Sequence, residues 1–520
     1  MSTISSSTSS LSSSAAAAAA EAAAQSALQE AGQSLIAGST GNSSLDVQSI
    51  VTALVNSKVA GQTAALTTEA TNDNTQISAI GSLSAALSSL QVGLAPLFNG
   101  TLQSTFSATL SGTGITASAA SGAVAGSYSI NVSQIAQAQS ISSGAFTSAQ
   151  SSSLGTGNLT ISVGSKSMQL AVTSTNDTLS DIASAINSSS SNPGISATVV
   201  NGSDGQHLVL SSTTTGAANT ITVNVSNVAN DNGLSSLGVT STQGTTSSGA
   251  STIASSGSIA WTQTTAAQDA QFTLNGTSAD SASNTVTSVL PGVTLNLTAA
   301  AVSSSSSSSS AQTLTIAPNT ATQVSDIETF VSDYNAVVST MSSLSSFNSS
   351  AAAGSQGGPL LGDSMLNQIQ STLGNIVSGS VSNSGVTAAL SSLGITLESN
   401  GQLSVDSTTL TSAVQSNPTQ VAALFNSTNG IAAQLNNNIT TFTQTGGIID
   451  IRTNQLTADL QSVTTQSNAL TTYTQQLTSQ YNAEFTALNN LMATTNSNSQ
   501  YLTQLFGGAN SAGALAKNSS

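Results

Sequence analysis

Apolar residues recur with a helical period at both ends of this chain and with a period of two through its middle, and few architectures accommodate that arrangement. Near the N-terminal end, Ile80, Leu83, Leu87, Leu90, Leu94 and Leu97 step by 3, 4, 3, 4 and 3, a heptad seam whose end Pro96 is expected to mark. Just before it, Val47, Ile50, Val51, Leu54 and Val55 follow helical spacing behind a Ser44 or Asp46 cap. At the other end, Leu456, Leu460, Val463, Leu470, Tyr473, Leu477, Tyr481, Phe485, Leu488 and Met492 form a long stripe on one helical face. Between them the pattern alternates, as in Ser127 to Val132, Leu159 to Val163 and Met168 to Val172. The last two runs are joined by Gly164 to Ser167, a hairpin-length connection. The fold class this implies is α+β: terminal helices form a coiled-coil-like leg, and β-rich head domains are inserted between them.

Further elements fit the same plan. Thr178 to Ile186 reads as a short helix with Leu179, Ile182, Ala183 and Ile186 on one face. Ile195 to Val200 and His207 to Leu210 flank the turn signal Asn201 to Gly205. Ile221 to Val225, Phe272 to Leu274 and Val293 to Leu297 read as strands, and Ser303 to Ser310 as an exposed loop. Helix returns near Val324, with Ile327, Phe330, Val331, Tyr334, Val337, Val338 and Met341 in period. Leu403 to Phe425 mixes short elements, and Asn417-Pro418 opens a helix. The expected domains are 1–43, a Ser/Ala-rich low-complexity extension; 44–104, the N-terminal leg helices; 105–310, a β-rich head of two subdomains; 311–430, a mixed domain next to the leg; and 431–520, a C-terminal coiled-coil helix.

Charge excludes whole function classes. Four basic residues face 20 acidic ones among 520, a net charge of −16, so no phosphate-tracking or polybasic membrane surface exists. There is no cysteine, hence no disulfide or thiolate chemistry. No uninterrupted apolar run reaches the length of a membrane span, and Met1 to Ser14 lacks the basic start and apolar core of a cleavable signal.

Catalytic constellations fare no better. His207 is the single histidine, and its place between a Gly-rich turn and a strand is that of an ordinary half-buried side chain. No Gly-x-Ser-x-Gly elbow occurs, and Gly164-Ser-Lys-Ser lacks the contiguous Gly-Lys and following helix of a phosphate loop. The carboxylates Asp177 with Asp181, and Asp326 with Glu328 and Asp333, sit at or near predicted first helical turns, where an anion offsets the helix dipole. A glycosidase cleft would want aromatic platforms, and the chain has one Trp and five Tyr. Asn201 to Gly205 and Asp231 to Gly233 lack the spacing of a calcium loop. No catalytic, cofactor or metal site is expected; the candidate site is the packing face of the leg, namely Ile50, Leu54, Ile80, Leu83, Leu87, Leu90, Leu94, Leu456, Leu460, Val463, Leu470, Leu477, Phe485 and Leu488.

Several segments, in order, resemble the flagellar hook-associated protein 2 family. Ser44 to Val55 is similar to its opening helix and Gly126 to Ser140 to its signature strand. Gln268 to Gly276, Ser283 to Val286 and Leu290 to Leu297 resemble its later signature. Asp333-Tyr-Asn335, Gly358-Pro-Leu-Leu-Gly-Asp363, Leu393-Gly-Ile395 and Ile449-Asp-Ile-Arg-Thr453 follow. Residues 1–43 have no counterpart, the charge that relatives place along the terminal helices is nearly stripped out, and Arg452 alone sits where the family motif has its arginine. The resemblance implies a secreted structural protein exported by the flagellar type III apparatus. It implies a homo-oligomeric cap ring at the filament tip, a pentamer being one form, that retains exported flagellin and promotes its polymerisation. Implied partners are flagellin, the hook–filament junction proteins and an export chaperone, with no nucleic acid and no membrane insertion. The alternatives are another axial flagellar component, such as a junction protein or flagellin itself, and a Ser/Thr-rich surface adhesin.

Overall fold

The structure is a computed structural model and describes residues 20, 22–30, 32–33, 47–244, 249–302, 311–351 and 355–506. The Ser44–Asp46 cap, the Ser303–Ser310 loop and most of the 1–43 extension lie outside the described residues. The chain forms two compact units, one of residues 1–100 and 324–520, the other of residues 101–323.

The first unit is built around two long helices, α1 (Val47–Phe98) and, at the other end of the chain, one of 59 residues (Ile448–Phe506). Pro96 lies inside the last turn of α1 rather than beyond it. The chain re-enters this unit through α2 (Thr320–Leu344), followed by α3 (Ser364–Ser378). Helix α3 has no counterpart among the elements expected from sequence, although Asp363 caps it and Met365, Leu366, Ile369, Leu373 and Val377 are its buried face. Two small antiparallel hairpins follow, Ser380–Asn383 with Val386–Ala389 and Ile395–Leu397 with Leu403–Val405. Short helices α4 (Ser407–Ser416) and α5 (Pro418–Leu424) come next, the latter with Pro418 in its first turn as expected.

One continuous helix was expected from 431 onward. Instead α6 (Ile431–Thr443) stops before Gly446 and Gly447, and α7 (Ile448–Phe506) starts afresh. Gly446 takes φ +78°, and its N–H donates to the Asp450 carboxylate across the new first turn, so the break is built in. By length and apolar content α1 alone, among described helices, could cross a membrane. Its Ala, Ser and Thr residues hid this from a search for uninterrupted apolar runs. In this fold α1 buries Ile50, Val51, Val55, Ile80 and its leucine seam within the unit.

The second unit holds four antiparallel sheets around two cores. Strands β1 (Phe106–Leu110), β2 (Ile115–Ala119) and β3 (Gly126–Gln134) open it, and the chain leaves the first core after Ala136. The second core collects β4 (Ser140–Ser142), β5 (Thr156–Val163), β6 (Lys166–Val172), β7 (Ile195–Asn201), β8 (Gln206–Ser212), β9 (Ile221–Ala229), β10 (Val239–Thr242), β11 (Thr252–Ser255) and β12 (Thr262–Thr265). A helix, Leu179–Ser188, packs into it behind its Thr178 cap. The chain then returns through β13 (Ala270–Leu274), β14 (Thr277–Ser281), β15 (Thr285–Val286), β16 (Val293–Leu297) and β17 (Gln312–Pro318). Sheet orders are β1-β17-β3-β13-β14 with β15-β16-β2 in the first core, and β11-β10-β9-β5-β6 with β12-β4-β8-β7 in the second. Alternation sets the register: Leu159, Ile161 and Val163 of β5 face Val225, Val223 and Ile221 of β9. The β5–β6 connection is tighter than expected. Val163 pairs with Lys166, leaving a two-residue turn with Gly164 at φ +56°.

A buried amide ties the second core together. Gln139 is fully buried; its Oε1 accepts from the Ile221 N–H at 2.5 Å, and its Nε2 donates to Gln263 Oε1 at 2.8 Å and Ser241 Oγ at 3.1 Å. Replacing it leaves the buried Ile221 N–H without an acceptor and takes one bond each from Gln263 and Ser241, so Gln139→Ala should cost about 2–3 kcal/mol. The buried Trp261, whose indole N–H donates to the Ser236 carbonyl, reports on the same core. Its fluorescence midpoint in denaturant should fall, while the helical circular-dichroism transition of the first unit holds; equal shifts in both would show the two units unfold as one.

Candidate functional site

The leg residues divide into an inner and an outer group. Ile50, Ile80, Leu83, Leu87, Leu90 and Leu94 are buried in the first unit, as is Leu97. Helix α6 packs along this end of α1, where Gln91 Nε2 donates to Thr440 Oγ1 at 3.0 Å and Asn436 Oδ1 at 3.3 Å. Leu54 and Leu460 are half-buried, and Leu456 is buried. Farther along, α7 runs antiparallel to α1, and Val51, Val55, Val59 and Leu66 pack with Val463, Leu470 and Leu477. Val47, Ala70, Tyr481 and Phe485 flank this cluster. On α7 the buried residues Leu456, Val463, Leu470 and Leu477 recur every seventh position, so one residue per heptad carries the seam where the stripe offered two. Tyr473 and Leu488 of that stripe are exposed.

Beyond Phe485, α7 continues for 21 residues to Phe506, about 30 Å at helical rise. Leu488, Leu491, Tyr501, Leu502 and Phe506 are exposed there, four of them by half or more. Among the described residues, these large apolar side chains left exposed along one helical stretch are a candidate association surface. The sequence stripe ended at Met492; Tyr501, Leu502 and Phe506 lie beyond it.

A polar node anchors the other end of the seam and joins two motifs far apart in sequence. Arg452 Nε donates to Asp363 Oδ2 at 3.2 Å, and its Nη2 donates to Gln76 Oε1 at 2.9 Å. Asp363 Oδ1 meanwhile accepts the Met365 and Leu366 N–H groups at the start of α3. One guanidinium thus links α7, the α3 cap and α1. A third motif works similarly: Asn335 brackets Leu403, accepting its N–H at 2.7 Å and donating to its carbonyl at 2.8 Å. Its neighbour Asp333 lies over Gly93, where an added Cβ would come within 2.2 Å of its carboxylate, and burial raises its pKa. Helix α2 begins at Thr320, so Asp326, Glu328 and Asp333 are past its first turn, and the dipole reading fails for them. It holds at Asp181, whose N–H donates to the capping Thr178. Asp231 accepts the Gly233 and Ser235 N–H groups, as turn chemistry requires.

Asp73 is the weak point of the node. It is buried on α1, its Oδ2 has no hydrogen-bond partner, and burial raises its pKa, with Asp459 and Glu69 adding to the rise against Arg452. A carboxyl with a raised folded pKa stabilises the fold below its unfolded value of 3.8, and that contribution is lost as pH rises through the folded value. Asp73→Asn should therefore raise stability at pH 7 by about 1 kcal/mol, and the gain should shrink as the pH approaches 4. Thermal melts across that range check it; a gain independent of pH would mean that the charge is not the cause.

With this geometry in view, comparison with known proteins is specific. Residues 43–139 match the family model described as flagellar hook-associated protein 2 N-terminus, and 267–497 match its C-terminus. Residues 158–214 match the flagellin hook IN motif. Flagellar hook-associated protein 2 of Escherichia coli K12 is 32% identical over 403 residues, 75% of this chain and 81% of that protein. The B-type flagellar hook-associated protein 2 of Pseudomonas aeruginosa is 30% identical over 401 residues, again 75% and 81%. The crystal structure of the D1-D2-D3 domains of the E. coli flagellar cap protein FliD aligns with a TM-score of 0.58 at 32% identity, covering 73% of this chain and 99% of that one. Terminal helices around a multi-sheet β middle fit that likeness, and the chain belongs to the flagellar hook-associated protein 2 family.

Proposed function

We infer that this chain caps the distal end of a flagellar filament, retaining exported flagellin and promoting its polymerisation at the tip. The relatives named above are flagellar hook-associated and flagellar cap proteins. The observation that carries the reading is the exposed end of α7. It projects beyond its last contact with α1 and presents Leu488, Leu491, Tyr501, Leu502 and Phe506. Small apolar faces of this kind bind reversibly, at roughly 25 cal/mol per Å² of apolar surface buried. Reversibility is what a lid needs if it must stay attached yet admit each new subunit.

The working form is a homo-oligomeric ring outside the cell at the filament tip, with flagellin beneath it and hook–filament junction proteins as earlier neighbours. An export chaperone covering the apolar α7 end before secretion by the flagellar type III route is consistent with that surface. The domain roles follow, with the expected 310/311 boundary moved past the head strand Gln312–Pro318: residues 47–100 and 431–506 supply the leg, 324–430 its neighbouring domain and 101–323 the head. Retaining and guiding subunits calls for surfaces and no catalytic group.

Deleting the gene should leave hooks with absent or very short filaments and monomeric flagellin in the medium, seen by electron microscopy. An adhesin would instead leave filaments intact and reduce only attachment. Replacing Leu491, Leu502 and Phe506 by Ser should reproduce the deletion phenotype with an unchanged melting temperature. Replacing Leu87 and Leu90 by Asp would not make that distinction, because both are buried and the unit itself would unfold. Normal filaments from the triple variant would sink the assignment of the α7 end.

A further inference from the structure

The one histidine of the chain sits at a defect in a β-ladder. Strands β4 and β8 pair through Ser140 with Ser211, Ile141 with Leu210 and Ser142 with Val209. The ladder continues where the Ser143 N–H donates to the Leu208 carbonyl at 2.9 Å, and it resumes where Phe146 and Gln206 exchange bonds of 2.8 and 3.0 Å. Between those points two residues, Gly144 and Ala145, stand opposite one, His207. This is a β-bulge, and it takes the Ser143 carbonyl out of the backbone ladder.

His207 reaches into the gap. Its Nδ1 lies 2.8 Å from the Ser143 carbonyl oxygen, which also accepts from the Ser142 hydroxyl at 3.2 Å. Its Nε2 lies 3.0 Å from Asp204 Oδ1, in the tip of the β7–β8 hairpin. A carbonyl and a carboxylate can only accept, so a ring bonded to both must donate from both nitrogens. Only the imidazolium does so. In a neutral ring one nitrogen turns a lone pair toward an oxygen, and the exposed Asp204 is the partner free to leave. The Ser143 carbonyl first, and Asp204 second, raise the His207 pKa above its ordinary value, while the His207 bond lowers that of Asp204. Among the described residues Asp204 is the only charged group acting on the ring.

Besides the Phe146–Gln206 pair, Gln206 Nε2 donates to Asn201 Oδ1 at 3.0 Å within the hairpin. Gly202 N–H donates to the Gly205 carbonyl at 2.7 Å, and Gly205, at φ +145°, lies so close to Phe146 that an added Cβ would meet its carbonyl oxygen at 2.5 Å. With no cysteine, His207 is also the only side chain here whose ordinary pKa falls between about 5 and 8. We propose that His207 is a pH-sensitive clamp, holding the β7–β8 tip against the 143–146 bulge as an imidazolium and releasing Asp204 and the tip as the ring loses its proton. The direction follows from linkage: the stabilisation is fully present below the unfolded value and is lost as pH rises through the folded one.

A single histidine makes the test free of assignment. In the full-length protein labelled with 15N-histidine, one pair of ring signals should show both nitrogens protonated at pH 6 and a midpoint above 6.5. Asp204→Asn should move that midpoint back down. Hydrogen exchange at the Gln206 and Leu208 amides should accelerate several-fold beyond its intrinsic base dependence across the same titration, and His207→Gln should abolish that excess. Unchanged Trp261 emission shows that each variant is folded; should His207→Gln fail this, the Asp204→Asn midpoint decides alone. A midpoint at or below 6.5, or the same exchange profile in wild type and His207→Gln, overturns the clamp.

Discussion

A seam one residue wide per heptad holds the longest helix of this protein to its partner. Leu456, Val463, Leu470 and Leu477 are the buried positions along α7 from its second turn onward, and each contributes about 1.5–3 kcal/mol by leaving water. So narrow a contact needs a polar element to set its register, because an apolar ladder at constant spacing can slip by a heptad with little loss. Arg452 supplies it. Its guanidinium meets Gln76 and Asp363 at once, and a slip of one heptad would strand the charge beside α1. The narrow seam also leaves most of α7 uncovered by the other described residues, so the exposed apolar side chains at its end follow from the same economy of burial.

A chain with 5% charged residues must keep such helices soluble by other means. Threonines do much of this. Thr453, Thr457, Thr464, Thr471, Thr474 and Thr478 on α7 each donate their hydroxyl to the carbonyl four residues earlier. Thr67, Thr71 and Thr75 on α1 do the same. The helices therefore show water a largely uncharged, internally bonded surface. In the β unit, amides take the role that charges play elsewhere: Gln139 joins β9, β10 and β12, and Asn275 accepts the Ser129 N–H from the tip of the β13–β14 hairpin. Asn275 and Gly276 both take positive φ there, which is why that turn is Asn-Gly.

Several strands of the β unit leave no legible signal in the sequence. Short strands such as β10, β11, β12 and β14 are rich in Ser, Thr and Ala, and their burial patterns carry few large apolar residues to betray a period of two. Their pairing comes from strands distant in the chain, which local pattern does not register. Helix α3 is absent from the sequence expectation although its cap and apolar face were legible, and the break at Gly446-Gly447 lies upstream of Leu456, where the stripe begins.

The periods of its apolar residues determined, from sequence alone, that helices would close both ends of this chain around a β middle, since a 3.6-residue period cannot be buried in a sheet nor a two-residue period on a helix. Composition likewise determined that no surface here could track a polyanion. Tertiary structure decided which half of each stripe is core and which is free. Leu87 and Leu477 are buried while Leu488 is exposed, although all obey the same spacing, because α7 outruns its contact with α1. It also decided that the motifs at Asp363 and Arg452 form one node and that His207 faces two acceptors. Those outcomes depend on distances between residues far apart in the chain or across a bulge, which the order of residues does not contain.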